Sequence, residues 1–231
     1  MSARPTVAVV DYGAGNLVSI EQAIAATSGT ARIVDRPEPL SAADLLVVPG
    51  VGAAAPAMRR LRRAGLAPAI ARWIEAGQPF LGICLGLQLL FEASDEDGAR
   101  TLGVIPGRTV RLADAPTLPH IGWNQVERTR PHPAFEGIAG DADVYFVHSY
   151  AGVPQGHEDA SWILGETEHG ARFVSAVAHD NVVGLQFHPE RSGTVGLRIL
   201  ANVLRWAVGG DVSAGSQEPG ARPSATIGAL G

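Results

Sequence analysis

Short apolar, β-branched segments alternate with longer helical stretches in the first part of the chain, and this alternation restricts the folds open to it. Four such segments are predicted to form strands, at Thr6–Asp11, Arg32–Asp35, Leu45–Pro49 and Pro79–Ile83. Helices are predicted over Asn16–Thr27 and over Ala54–Ala76, the second interrupted near Gly65–Pro68. Strands that alternate with helices predict a parallel sheet with helices on both faces.

In the rest of the chain, strands follow one another closely. Six further strands are predicted, at Gly107–Leu112, Asn124–Arg128, Val144–Ser149, Ser161–Gly165, Val174–His179 and Val182–His188. After a last helix over Thr194–Val208, residues 209–231 are rich in Gly, Ser, Ala and Pro, which predicts a disordered tail. We therefore predict one α/β domain over residues 1–208, built on a central mixed, mostly parallel sheet flanked by helices.

The charged and apolar residues exclude several functions. All 18 basic residues are arginine, so the chain has no lysine for a Schiff base, a P-loop or a Glu-Lys-Cys amidase site. The net charge is −5 and no basic run is present, which argues against a nucleic-acid partner. Because no apolar run is long enough to span a bilayer and Met1–Thr6 is too short and polar for a signal peptide, we expect a cytoplasmic protein without a membrane partner.

Metals and other cofactors are not expected either. Cys84 is the single cysteine, which excludes an internal disulfide and a Cys-rich zinc site. His157-Glu158 lacks a second histidine at zinc-protease spacing. Gly13-Ala-Gly15 is followed about 20 residues later by Asp35, as in a dinucleotide-binding segment, but Val18 stands where the third glycine belongs. We therefore predict neither a metal nor a cofactor.

Cys84 lies in the segment with the strongest chemical signal. An apolar strand ends at this residue and a helical pattern begins directly after it. Gly82 and Gly86 flank it in a G-x-C-x-G pattern, the thiol version of the nucleophile elbow, in which a sharp turn leaves no room for β-carbons. A helix N-terminus also favours the thiolate. A lone cysteine is more often a buried structural residue, but the flanking glycines favour a catalytic thiol.

A general base should accompany such a thiol, and His188 is the best candidate. It ends an apolar strand and is followed by Pro189-Glu190. Pro189 biases His188 toward an extended conformation, in which residues i and i+2 project to the same side. Glu190 can then hold one ring nitrogen while the other faces Cys84. A solvated turn is the alternative for His-Pro-Glu taken alone.

Acyl transfer also needs donors for an oxyanion. A buried strand runs into the glycine-rich turn Pro49-Gly-Val-Gly52, so the backbone N–H groups of Gly50, Val51 and Gly52 are candidates, with an ordinary turn as the alternative. The N–H of Leu85, directly after the nucleophile, is the expected second donor. A peptide of the Gly50–Gly52 turn that could rotate would also gate the site.

These segments together resemble class I glutamine amidotransferases and, within them, the HisH-type glutaminase subunits of imidazole glycerol phosphate synthase. The elbow and the His-Pro-Glu turn are shared across the class. The matching segments follow in family order and cover the chain nearly to Val208, at Asp11–Ser19, Pro49–Gly52, Gly82–Leu90, Pro119–Asn124, Tyr145–Tyr150 and Gly184–Gly193. The narrower resemblance rests on the first, second, fourth and fifth of them.

The resemblance implies a Cys-His-Glu triad that hydrolyses L-glutamine to glutamate and ammonia through a glutamyl thioester. It further implies that glutamine is contacted by Gly52, Gln88, Glu96, Ser149 and Tyr150. Glu96 is assigned by its place in the Phe91–Glu96 stretch, and the alternative is a solvated acidic loop, because other acidic residues lie beside it.

The resemblance also implies a heterodimer with a cyclase of HisF type, a (β/α)₈ barrel. Ammonia would cross into the barrel and react with a phosphoribulosyl carboxamide ribonucleotide, giving imidazole glycerol phosphate and an aminoimidazole carboxamide ribonucleotide in histidine biosynthesis. The candidate partner-facing residues are Asn16, Trp123, Asn124, Tyr145 and Arg191. A core position is the alternative for Trp123, since aromatic anchors serve in both settings. Arg191 stands where the family usually has lysine, and the two side chains are not interchangeable.

Three other interpretations remain at this point. The chain could be another amidotransferase subunit, such as that of anthranilate synthase, although the opening segment and Pro49-Gly-Val-Gly52 argue against it. It could be a stand-alone cysteine hydrolase, which strong turnover without a partner would favour. It could also be a binding module that has lost activity, against which the intact Cys84, His188 and Glu190 argue.

Overall fold

The computed structural model describes residues 4–155 and 161–209. The strands in this part of the chain are β1 (Thr6–Val10), β2 (Thr30–Val34), β3 (Leu45–Val48), β4 (Phe80–Ile83), β5 (Phe91–Ser94), β6 (Ile105–Arg111), β7 (His120–Gln125), β8 (Glu127–Arg128), β9 (Asp143–His148), β10 (Tyr150–Pro154), β11 (Ile163–His169), β12 (Ala171–His179) and β13 (Val182–Leu185). The α-helices are α1 (Leu17–Ala26), α2 (Ala54–Arg63), α3 (Leu66–Glu75), α4 (Leu85–Gln88) and α5 (Gly193–Gly209). The predicted tail beyond Gly209 and the His157-Glu158 pair lie outside the described residues.

An eight-stranded sheet forms the central layer, in the order β2-β1-β3-β4-β13-β12-β11-β8. The first five of these strands pair in parallel, and the last three add antiparallel pairs. Two smaller sheets, β10-β6-β5 and β7-β9, complete the fold. The predicted mixed, mostly parallel sheet flanked by helices is confirmed.

Each face of the central sheet carries its own apolar core, because successive side chains of a strand point to opposite faces. In β1, Val7 and Val9 belong to the core that includes residues of α1 and α5. Ala8 and Val10 belong to the other core, together with residues of α2 and α3. Since helices cover both faces, the carboxyl edge of the parallel strands is the place left for a site.

Local chemistry explains how the helices begin and end. The side chain of Asn16 accepts a hydrogen bond from the Ser19 N–H at 3.2 Å and caps α1. The predicted break in the second helical region falls at Gly65, whose φ of +71° separates α2 from α3. In the described residues, no helix has the length and apolar character needed to cross a bilayer.

Several strand predictions have the wrong bounds. β5 and β10 were not expected, and the strand predicted over Asn124–Arg128 begins at His120 and is interrupted at Val126. The predicted strand Val182–His188 ends at Leu185; Gln186 still donates its N–H to the Ser175 carbonyl of β12, but His188 donates to the Tyr145 carbonyl of β9. The chain thus leaves the β4 ladder directly beside Cys84, whose own N–H bonds the Leu185 carbonyl at 2.7 Å.

Candidate active site

Cys84 sits on a strained turn between β4 and α4. Its φ of +52° and ψ of −107° are unusual for a residue with a side chain. A β-carbon on Gly82 would lie 2.7 Å from the Gly86 carbonyl oxygen, and one on Gly86 would overlap the carbonyl of Val48. Both flanking glycines are therefore required by close backbone approach. The helical pattern expected after Cys84 is a helix of only four residues, so its dipole gives little support to a thiolate.

His188 and Glu190 are held rigidly next to this turn. The His188 N–H bonds the Tyr145 carbonyl at 2.8 Å, and Pro189–Arg191 forms a single 3-10 turn. Ser192 fixes the turn to β9, since its hydroxyl donates to the His188 carbonyl at 2.7 Å and accepts from the Tyr145 N–H at 2.9 Å. Glu190 thereby lies with Oε1 2.7 Å from Nδ1 of His188.

The electrostatics of this pair favour a protonated histidine. The side chains of His188 and Glu190 are only 5% and 4% exposed. Burial by itself lowers the pKa of His188, but hydrogen bonds and charge interactions with Cys84 and Glu190 outweigh it and raise the pKa to about 10. Nδ1 is hydrogen-bonded to Glu190, whereas Nε2 has no partner within hydrogen-bond geometry among the described residues. Nε2 is thus the nitrogen available for proton transfer with Cys84.

A cavity of about 230 Å³ opens beside Cys84. All five residues expected to contact glutamine line it, namely Gly52, Gln88, Glu96, Ser149 and Tyr150, and Val51, Pro119, Val147 and His148 complete the wall. Glu96 lies exposed in the turn after β5, as a solvated loop would place it, and partial burial and the neighbouring Asp97 raise the pKa of its carboxyl. The volume suits a ligand of amino-acid size.

The expected oxyanion donors are not aligned in this structure. The Leu85 N–H points to the carbonyl oxygen of Gly50 at 3.4 Å. Because a trans peptide places its C=O and N–H on opposite sides, the Val51 N–H is turned away from Leu85. Upstream, the Tyr12 hydroxyl donates to the Pro49 carbonyl at 2.9 Å and leaves no room for a side chain at position 50. The Gly50–Val51 peptide therefore has to rotate before it can donate into the site.

Three histidines form a chain at the cavity wall, namely the buried His148 in the wall itself, the buried His120 and the half-buried His169. Nδ1 of His148 donates to the Tyr150 carbonyl at 2.9 Å, so its Nε2 must accept, and Nδ1 of His120 lies 3.3 Å from it. His169 stacks on His120 with ring centroids 4.0 Å apart. Burial and the neighbouring histidines lower the pKa of His120 to about 4 and that of His148 to about 3, the Tyr150 bond opposing the shift only in part.

These depressed pKa values predict acid sensitivity. Each histidine stays neutral in the folded state but takes up a proton on unfolding below about pH 6.5, so stability is fully present above that pH and falls as the pH drops toward 4. We expect a loss of up to about 1.4 kcal/mol per pH unit for each histidine. Urea unfolding measured between pH 7 and pH 4 should show a shallower decline for His120→Asn than for the unaltered chain; equal slopes would contradict the assignment.

Sequence reasoning missed Gln186. This fully buried side chain donates from Nε2 to the sulfur of Cys84 at 3.5 Å. A signal was present in the sequence, because Gln186 precedes His188 by the same two-residue step that separates His188 from Glu190, although Glu190 itself lies in the 3-10 turn Pro189–Arg191. The sequence analysis assigned catalytic roles to His188 and Glu190 but did not consider Gln186, which stands two residues before His188.

The residues expected to face a partner fall into two groups. Trp123 is 57% exposed, so the core alternative for it is wrong, and its ring meets Tyr145 edge-on with centroids 5.9 Å apart. The guanidinium of Arg191 lies over the Tyr145 ring at 4.3 Å. Asn16 is exposed at the start of α1. The side chain of Asn124, by contrast, already donates a hydrogen bond within this chain, to the Glu168 carbonyl at 2.9 Å.

Other features of the described residues offer no comparable chemistry. A larger groove of about 720 Å³, lined by residues between Arg128 and Gly137, contains none of the predicted catalytic residues. In the part of the chain that the structure describes, no group of three or more His, Cys, Asp or Glu side chains could hold a metal ion. The cavity beside Cys84 is the candidate site.

A doubly covered α/β sheet with a thiol on a nucleophile elbow and an adjacent His–Glu pair defines an enzyme of the cysteine-nucleophile type. The model of the glutamine amidotransferase class-I family matches residues 8–206. The chain belongs to this family.

Individual relatives identify the group within this family to which the chain belongs. The chain is 46% identical over 204 residues to the imidazole glycerol phosphate synthase subunit HisH of Syntrophotalea carbinolica, covering 85% of this chain and 98% of the relative. It is 47% identical over 203 residues to the HisH subunit of Synechococcus sp., covering 86% and 93%. These identities place the chain in the HisH group of glutamine amidotransferases.

Solved structures agree on the fold. A glutamine amidotransferase from Thermotoga maritima superposes with a TM-score of 0.67 at 18% identity, covering 89% of this chain and 98% of the other. The PurLQS structure from the same organism gives a TM-score of 0.71 at 18% identity, covering 88% and 99%. At such identities the likeness concerns the fold alone.

Proposed function

We propose that this chain hydrolyses L-glutamine with Cys84 as nucleophile and passes the ammonia to a cyclase subunit in histidine biosynthesis. The observation that carries the proposal is the amino-acid-sized cavity with Cys84 at its wall, next to the buried His188–Glu190 pair. Membership in the HisH group supports the choice of glutamine as substrate and of an imidazole glycerol phosphate synthase as the complete enzyme.

In the first half-reaction, the Cys84 thiolate attacks the side-chain carbonyl carbon of glutamine. The C=O electron pair moves to the oxygen, and the resulting oxyanion needs N–H donors from Leu85 and from the Gly50–Gly52 turn. Protonated His188 gives its proton to the amide nitrogen, the C–N bond breaks, and ammonia leaves. Glu190 holds Nδ1, so that the proton is transferred from Nε2.

In the second half-reaction, water replaces ammonia. Neutral His188 accepts a proton from the water, whose oxygen attacks the glutamyl thioester. The C–S bond breaks, the thiolate of Cys84 leaves, and glutamate is released. The raised pKa of His188 favours the charged pair of thiolate and imidazolium to which the site returns.

The partner in this proposal is a cyclase of HisF type, a (β/α)₈ barrel, bound as a heterodimer. The exposed Trp123 and Arg191 flank the half-buried Tyr145, and this group supports the location of the interface, because the Tyr145 carbonyl holds the His188 N–H and Arg191 directly follows Glu190. Aromatic and arginine side chains are enriched at the centres of interfaces. We place the complex in the cytoplasm, where thiols such as Cys84 stay reduced.

The direct test is glutamate release from glutamine by the chain with and without the cyclase and its nucleotide ligand. We expect partner-dependent release of glutamate and transfer of the glutamine amide nitrogen, followed by ¹⁵N, into the cyclase product. Equal turnover without any partner would instead favour a stand-alone hydrolase. Absence of turnover in the assembled complex would favour a binding module.

The two partners of Cys84 should contribute unequally. We expect His188→Ala to reduce glutaminase kcat by about 10⁶-fold and Glu190→Gln by about 10⁴-fold, by analogy with serine triads, because Glu190 orients the ring whereas His188 carries the proton. Steady-state kinetics of the assembled complex measure both values. An equal or greater loss in Glu190→Gln would show that Glu190 does more than orient His188.

A further inference from the structure

Gln186 is a buried polar side chain without a place in the mechanism described so far. It follows β13 directly and is fully buried, and its backbone N–H bonds the Ser175 carbonyl at 2.9 Å. Burying an amide side chain costs free energy unless its hydrogen bonds are satisfied. The partners of the Gln186 amide therefore show what the residue is placed to do.

The hydrogen-bond network fixes which end of the amide meets the sulfur. The Tyr150 carbonyl can only accept, so the group of Gln88 that lies 2.8 Å from it is the NH₂. The same NH₂ lies 3.1 Å from the side chain of Gln186, which must present its oxygen there. The Gln186 NH₂ is consequently directed at the sulfur of Cys84, 3.5 Å away.

We infer that Gln186 is a catalytic residue that donates a hydrogen bond to the thiolate of Cys84. The bond favours the charged form of the sulfur, because hydrogen bonding to an ionised group stabilises it. The thiolate is needed twice, as the attacking group on glutamine and as the leaving group when the thioester C–S bond breaks. The Gln186 hydrogen bond thus stabilises the thiolate where the dipole of the four-residue helix α4 does so only weakly.

The location of Gln186 separates this role from substrate binding. The side chain is not part of the wall of the 230 Å³ cavity, whereas Gln88, its neighbour in the network, is. The loss of the Gln186 donor should therefore change kcat and the reactivity of the thiol but leave KM for glutamine nearly unchanged. The inference rests on the proposed glutaminase function only for the kinetic part, since thiol reactivity can be measured without any substrate.

Alkylation of the full-length chain by iodoacetamide as a function of pH is the decisive experiment. Cys84 is the single cysteine, so every alkylated protein reports on this thiol. Gln186→Glu keeps an oxygen for Gln88 to donate to but replaces the N–H donor, and Gln186→Met removes both groups. We expect the pH midpoint of alkylation to rise by about one unit or more in both variants, and most in Gln186→Glu, where a carboxylate opposes the thiolate.

Ser175→Ala is the matched control. Its hydroxyl is fully buried on the neighbouring strand and has no hydrogen-bond partner in the described part of the chain, so its removal alters the same region without touching the amide network. We expect its alkylation midpoint and its kcat to equal those of the unaltered chain. In the assembled complex, the two Gln186 variants should lose about tenfold or more in kcat, with KM nearly unchanged.

A measurement on the unaltered chain covers the case in which the variants do not fold. The side-chain amide protons of Gln186, followed by NMR, should shift with the same pH midpoint as alkylation, and the shift should disappear in Cys84→Ala. An amide that does not follow the thiol, or Gln186 variants that keep the original alkylation midpoint, would overturn the inference. Failure of the glutaminase proposal would look different, as absent glutamine turnover in the unaltered complex.

Discussion

The Cys84→Ala chain bound to its cyclase is expected to form no product from glutamine and yet to form product from added ammonium salt. The first part follows because Cys84 is the single cysteine, so no other thiol can form the thioester. The second part follows because the nucleophile in the cyclase is neutral ammonia, whose origin does not matter once it reaches the acceptor. Product formation by the assembled complex, measured with each nitrogen source, tests both parts.

Two controls make this result specific. The ammonium-dependent rate should rise with pH, because a larger fraction of the ammonium is deprotonated, and a thiol-blocking reagent should leave it unchanged. In the unaltered chain, an electrophilic glutamine analogue should label Cys84 and nothing else, and the same reagent should stop the glutamine-dependent rate. If ammonium fails to support synthesis in a complex shown to be assembled, this chain takes part in the acceptor chemistry and the proposed division of labour is wrong.

The sequence predicted the framework of the site because strong local rules govern it. Cys84 needs glycines on both sides, since β-carbons at Gly82 and Gly86 would meet backbone atoms. The G-x-C-x-G pattern of the sequence meets that requirement and can be recognised without the structure. The short separation between His188 and Glu190 made their pairing at 2.7 Å equally foreseeable.

What the sequence did not predict depends on contacts between distant segments. The hydrogen bond from Gln186 to Cys84 joins residues 102 positions apart, and the one from Gln88 to Tyr150 joins residues 62 apart. β10 was not expected, and its glycine and proline are residues that weaken a strand taken alone. Its pairing with β6 supplies the hydrogen bonds that overcome this preference.

The exposure of Trp123 shows the same limit. Its strand alternates strictly, with His120 buried and Ile121 and Trp123 60% and 57% exposed. Because β7 begins at His120, four residues before the predicted start, the sequence interpretation did not use this alternation. A correct strand boundary would have directed Trp123 outward and left no reason for the core alternative.

The isolated chain is expected to be a poor glutaminase whose kcat rises by about 10²–10³ when the cyclase and its nucleotide ligand bind. The Leu85 N–H is turned to the Gly50 carbonyl at 3.4 Å, and the Val51 N–H faces away from it. The oxyanion formed on glutamine therefore lacks a donor. One such donor contributes about 10²–10³ in rate, or about 2.7–4 kcal/mol.

Rotation of the Gly50–Val51 peptide is the smallest change that would supply this donor. Gly52 has a φ of +94° and open space around it, and the Val51 side chain is 47% exposed, so little packing resists the motion. The Tyr12 hydroxyl holds the carbonyl of the preceding residue, Pro49, at 2.9 Å and confines the motion to the turn itself. Because the missing interaction exists only in the transition state, the partner should raise kcat more than it lowers KM. Steady-state kinetics of the free chain and of the ligand-bound complex test whether this rotation is needed. Full kcat in the free chain would mean that Leu85 and the turn already donate to the oxyanion without rotation.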